Sequence, residues 1–185
     1  MKQEFEILEY DPLWREKFSD EKENLVKIFG DNLNSIHHIG STAIPNAKAK
    51  PEIDILLIVK EDSNLSFYNI KLEELGYVVR GECLDKGGTP GRFYYSKNTN
   101  NKRSHKLHIC KTGHSEILPK LMFVKYLNDH IEMAEEYSDL KTRLSKNYNY
   151  GRDFEKYLAG KSDFVKNVLE IAAKEYKEIK YEDFI

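Results

Sequence analysis

One change of hydrophobic period, near residue 112, constrains this chain more than any other feature. Before it, apolar residues gather in short segments, Ser35 to Ile39, Ile53 to Val59 and Tyr77 to Val79. Arg92 to Lys97 and Lys106 to Lys111 then alternate polar and apolar around the turn Asn98 to Asn101. All five segments are predicted strands, the last two forming an antiparallel hairpin. Two helices interleave with them. One opens at Asp11-Pro12, carries Trp14, Phe18, Leu25, Ile28 and Phe29 on its stripe and stops at Gly30; the other runs over residues 64–75 and stops at Gly76. From Ser115 onward the spacing turns helical in three runs: Leu118 to Leu127, Met133 to Tyr148 and Phe154 to Ala172. The tail from Tyr176 is expected to fray. No repeat, low-complexity block or Pro/Gly/Ser linker divides the chain, so the expectation is one domain over residues 1–185. Its class is α+β or α/β, a small mixed sheet with flanking helices in residues 1–112 and a helical part in residues 113–185.

Charge narrows the function classes. Lys and Arg number 29 against 31 Asp and Glu, a formal charge of −2, so no global positive field draws in nucleic acid or an anionic membrane, and any anion site is local. The longest apolar run, Ile55 to Val59, is far short of the ~20 residues a membrane helix needs. Met1 to Glu4 leads into acidic residues without the apolar core of a signal peptide. Cys83 and Cys110 make neither a disulfide framework nor a zinc spacing, and a reducing cytoplasm is the expected compartment.

The chemistry concentrates between His37 and Ile55. A strand stops at Gly40-Ser41, a loop follows, and the next strand opens with Glu52 and Asp54. Glycine lets backbone approach a ligand, and the amides and hydroxyls of Ser41 and Thr42 can face a phosphate. Two positions apart on a strand, Glu52 and Asp54 share a face, which suits Mg²⁺ (or Mn²⁺) completed by phosphate oxygens and water. The plain alternatives are a capped tight turn and a salt bridge from the acids to Lys48 or Lys50.

This order is similar to the nucleotidyltransferase fold, in which a Gly-Ser pair precedes an acidic-x-acidic strand and a later strand adds a third carboxylate. The longer pattern His38-Ile39-Gly40-Ser41-Thr42, Ile44-Pro45, Ala49-Lys50-Pro51 and Ile53-Asp54, with Tyr10-Asp11-Pro12-x-Trp14 upstream, resembles the GrpB family. The resemblance continues through Arg92-Phe93-Tyr94, Leu107-His108-Ile109, Tyr126-Leu127, Tyr137-x-x-Leu140-Lys141 and Tyr157-x-x-x-Lys161. It implies a nucleotidyltransferase-like fold and metal-dependent transfer of a nucleotidyl group to an acceptor hydroxyl, with Asp54 and Glu52 holding the metal. Family members often carry a second acid two residues after the Asp54 position, where this chain has Leu56, so the carboxylate register stays open between 52/54 and 54/56. At the third-carboxylate position the reading puts His108, a base or phosphate contact near neutral pH.

The cations complete the candidate set. Lys48 and Lys50 flank the loop, and Arg92 offers a bidentate fork to phosphate oxygens. Lys161 lies on the apolar stripe of its helix and Lys141 beside another, where a lysine either snorkels or meets an anion. His38, at a strand end, is a further candidate whose plain reading is a hydrogen-bonded core residue. The expected ligand is a nucleotide or another phosphorylated small molecule. The rival expectation is a catalytically inactive module that senses a nucleotide or a coenzyme A precursor.

Overall fold

The computed structural model describes residues 6–86, 88–149 and 152–184; the Met1–Glu4 stretch and Gly87 of the glycine-rich turn lie outside them. Helix α1 (Leu13–Phe29) starts where expected, with Asp11 Oδ1 accepting from the Leu13 amide at 3.0 Å, and ends at Gly30, whose φ is 50°. Strands β1 (Leu33–Ile39) and β2 (Ile53–Val59) follow, then α2 (Asn69–Glu74) and β3 (Tyr77–Gly81). The helix predicted over residues 64–75 is split, Leu65–Tyr68 being a 3₁₀ turn capped by Asn64. The hairpin is longer than predicted: β4 (Arg92–Thr99) and β5 (Lys102–Lys111) close on Asn100 and Asn101, both with positive φ. Asparagine tolerates that conformation, which lets a two-residue turn match the strand twist.

The sheet order is β1-β2-β5-β4-β3, parallel between β2 and β5 and antiparallel elsewhere. β2 lies inside the sheet between β1 and β5, and its two faces serve two cores. Ile55, Leu57 and Val59 pack with Trp14, Leu25, Phe29 and Leu72 beneath α1 and α2. Leu56 and Ile58 pack with Cys110, Ile117 and Leu121 beneath α3 (Ile117–Asp129). Glu52 and Asp54 precede this second row, so their carboxylates face the helical side.

α4 (Ile131–Asn147) and α5 (Phe154–Glu175) complete the C-terminal part. Its core takes in Ile44 and Ala47 from the β1–β2 loop, which pack against Met122, Tyr126, Tyr137 and Val168. The Lys48 amide donates to Ser138 Oγ at 2.9 Å, so loop and bundle are one packed unit. The tail departs from the expectation. A 3₁₀ turn at Tyr181–Phe184 sets Phe184 against both helical-side cores, and Tyr181 bonds Ser35 at 2.8 Å. The observed class is the mixed α+β one expected, a five-stranded mixed sheet with flanking helices. Both cysteines are free, and no helix among the described residues is long and apolar enough to cross a membrane.

Candidate functional site

β1 ends at Gly40, whose φ is 71°, and the chain turns through a 3₁₀ turn at Ser41–Ala43. Two constraints require glycine here. The left-handed backbone disfavours any side chain, and a Cβ would sit 2.6 Å from Asp54 Oδ2. The Thr42 hydroxyl donates to the Glu52 carbonyl at 3.3 Å and lies 3.0 Å from His38 Nε2. His38 is stacked on Phe18 at 4.7 Å, and burial lowers its pKa to about 4. Neutral at pH 7, it positions the turn. Gly40→Ala is expected to lose about 1–3 kcal/mol of stability through backbone strain alone, more if Asp54 cannot move, as read by thermal and urea unfolding.

Glu52 and Asp54 open β2 side by side with Lys106 on β5, the register pairing Asp54 with Lys106. The Lys106 ammonium is 2.7 Å from Glu52 Oε2 and 3.6 Å from Asp54 Oδ1. Lys50 Nζ is 3.5 Å from Glu52 Oε1 and lies over the rings of Phe154 and Tyr157. From across the cleft, Lys141 donates to the Lys48 carbonyl and rests on the Tyr137 ring at 4.1 Å. Lys161 Nζ stands over Tyr157 at 4.8 Å and forms no ion pair with a described carboxylate. These side chains, with Ser41, Thr42 and Leu158, enclose a cavity of about 80 Å³.

Cation charge therefore exceeds anion charge in this cavity: Lys50, Lys106, Lys141 and Lys161 face Glu52 and Asp54. Burial, then Lys161, pulls the Lys141 pKa down to about 7, while burial, then Lys50 and Lys106, pulls that of Lys161 to about 8. Lys106 moves the opposite way despite its burial, because Asp54 and Glu52 hold it protonated. Lys50 is lowered, by burial first and Lys106 second.

Of the predicted site residues, the structure brings together Ser41, Thr42, Lys50, Glu52, Asp54, Lys141 and Lys161, with Gly40 beneath Asp54. Lys48 sits outside the cavity, with its ammonium 2.6 Å from Glu9 at the surface; only its carbonyl reaches Lys141. Arg92 also sits apart, its Nε 3.2 Å from Glu116 and its Nη1 3.1 Å from His108 Nδ1. His108 shares the sheet face but stands level with Leu56, stacked on Tyr94 at 5.4 Å. Burial, with Lys120 and Arg92 nearby, lowers its pKa to about 3, too low for a base near pH 7. The β5 position beside Asp54 belongs to Lys106. Strand alternation put Lys106 on this face, but only the parallel register separates it from His108.

The structure supplies a carboxylate pair in the 52/54 register, Leu56 being part of the core. A hard divalent cation does not fit that pair as arranged. Both acids are engaged by Lys106, Lys50 holds the second Glu52 oxygen, and no three His, Cys, Asp or Glu among the described residues form a metal-holding group.

The chain resembles known proteins along most of its length. It is 37% identical over 171 residues to the UPF0157 protein YqkA of Bacillus subtilis, covering 92% of this chain and 48% of that protein, so it spans about half of YqkA. The Glutamate-rich protein GrpB of Alkalihalophilus pseudofirmus is 32% identical, with 84% of this chain and 88% of that one covered. The crystal structure of the conserved protein GrpB from Enterococcus faecalis superposes with a TM-score of 0.84 at 36% identity, covering 94% of this chain and all of that one. The GrpB protein family profile matches residues 4–171, and with these relatives it establishes that the chain belongs to the GrpB family.

Proposed function

We propose that this chain binds the phosphoryl end of a nucleotide or another phosphorylated small molecule between β2/β5 and helices α4 and α5. One observation carries the reading: a half-buried lysine, Lys161, faces a cavity whose two carboxylates are already engaged by other lysines. A desolvated ammonium without a counter-charge is unfavourable, and a bound anion supplies one. The volume sets the ligand's size. About 80 Å³ receives one phosphoryl group, against roughly 300–1,000 Å³ for a whole drug-sized ligand, so the remainder lies outside the cavity. Ser41 and Thr42 also line the cavity, the Thr42 hydroxyl being bonded to the Glu52 carbonyl and His38.

The ion pairs at Glu52 and Asp54 favour binding without turnover over metal-dependent nucleotidyl transfer. A thermal-shift panel of nucleotides and coenzyme A precursors, with and without Mg²⁺ or Mn²⁺, separates the two on the wild type and on Asp54→Asn. Stabilisation indifferent to metal supports the binding module, whereas metal-dependent stabilisation lost in Asp54→Asn supports the transferase. No shift with any phosphorylated compound overturns both.

Affinity should fall as pH rises from 7 to 9. The groups facing the ligand are Lys50, Lys106, Lys141, Lys161, Glu52, Asp54 and the Tyr157 hydroxyl, and within this window Lys161 and Lys141 lose protons. Each proton lost weakens anion binding by up to about tenfold per pH unit. Unliganded stability should move the other way. The unfolded lysines, with pKa near 10.4, bind more protons than the folded ones, so the stability contribution of this pair rises with pH between about 7 and 10. Calorimetric titration and denaturant unfolding at matched pH values check both signs.

A further inference from the structure

We infer that Lys106 is the resident cation of this site, serving the two carboxylates in place of a divalent metal ion; this deepens the phosphorylated-ligand reading by making the binding metal-independent. The backbone fixes the position. β5 runs parallel to β2 with Lys106 beside Asp54, so the stem crosses one strand spacing and delivers its ammonium to both acids. Gly40 underlies Asp54 so closely that no side chain fits between them, which confines the carboxylate on the side away from Lys106.

Charge and geometry both exclude a second cation. Three ammoniums, those of Lys50, Lys106 and Lys161, already face two carboxylates, so an entering divalent ion meets net positive charge. Mg²⁺ also needs oxygen ligands at about 2.0–2.1 Å in octahedral array, and the two Glu52 oxygens already face Lys106 at 2.7 Å and Lys50 at 3.5 Å. A lysine cannot reproduce the metal's other task, since it does not align an acceptor oxygen by direct coordination. Together with Lys50 it balances the charge of Glu52 and Asp54, and this leaves Lys161 to take an anion. Swapping the lysine for a carboxylate should therefore turn the site into a metal site.

The experiment measures Mn²⁺ binding by water-proton relaxation, and the Mn²⁺ effect on Tm, for the wild type and for Lys106→Asp, Lys106→Met and Lys106→Arg. The expected result is no saturable Mn²⁺ binding by the wild type or Lys106→Arg. Lys106→Asp and Lys106→Met should bind at least about tenfold more tightly, with Tm raised by Mn²⁺ in those two variants only. Mn²⁺ binding by the wild type that Asp54→Asn abolishes would overturn the inference. So would folded Lys106→Asp and Lys106→Met proteins that bind Mn²⁺ no better than the wild type, or a Lys106→Arg protein that binds it. The two readings fail separately. Should the wild type ignore pyrophosphate in EDTA while the Mn²⁺ results come out as expected, the ligand reading falls and the resident cation stands.

Discussion

Glu52→Ala is expected to lower the unfolding free energy by about 3–5 kcal/mol, the usual loss when one partner of a buried ion pair is removed. Glu52 is only 7% exposed, and its two oxygens meet different lysines, Lys106 at 2.7 Å and Lys50 at 3.5 Å. Truncation leaves both ammoniums to Asp54, which lies 3.6 Å from Lys106. The Glu52 backbone carbonyl, which accepts from the Thr42 hydroxyl, is retained in the variant, so the loss reports the side chain. Urea unfolding with an unchanged slope would report the loss as stability alone. A loss below about 1 kcal/mol would mean that Lys106 reaches water when its partner is removed, as surface pairs do. The double variant with Lys106→Ala should recover part of the loss, because the orphaned charge goes with it.

Lys161→Met should produce two effects of opposite sign. The unliganded protein gains about 1 kcal/mol, since a half-desolvated ammonium without a carboxylate partner is replaced by an apolar chain of similar length over the Tyr157 ring. Phosphoryl-ligand affinity falls about 10–100-fold, the equivalent of one charge-assisted hydrogen bond of about 1.5–3 kcal/mol. This opposition separates a ligand-facing lysine from a snorkelling one. A snorkelling lysine would give little change in either quantity. Lys48→Ala and Arg92→Ala, which lie outside the cavity, serve as matched controls of the same charge change.

Much of this site was legible in the sequence because local rules governed it. Ile53–Val59 is the predicted strand to the residue, since an apolar run bounded by Pro51 and charged residues has few other uses. The Gly40-Ser41 turn, the shared face of Glu52 and Asp54, and the inward lysines on α4 and α5 each follow from strand alternation or helical spacing. The illegible features depend on contacts across the chain. Which β5 residue meets Asp54 depends on the β2–β5 register, and a slip of two residues exchanges Lys106 for His108 without altering any pattern in either strand. Arg92 looked like a phosphate fork because nothing near it in sequence revealed Glu116. Lys48 and Lys50 look equivalent in sequence, yet one meets Glu9 at the surface and the other enters the cavity. The tail from Tyr176 has weak periodicity, and partners distant in sequence hold it, Ser35 and the two helical-side cores.

The account stands most directly on calorimetric titration of pyrophosphate at pH 7 in EDTA, using the wild type and Lys161→Met. It predicts saturable binding to the wild type without any divalent metal, and binding at least about tenfold weaker in the variant. Binding that appears only when Mg²⁺ is restored and is indifferent to Lys161 would contradict it.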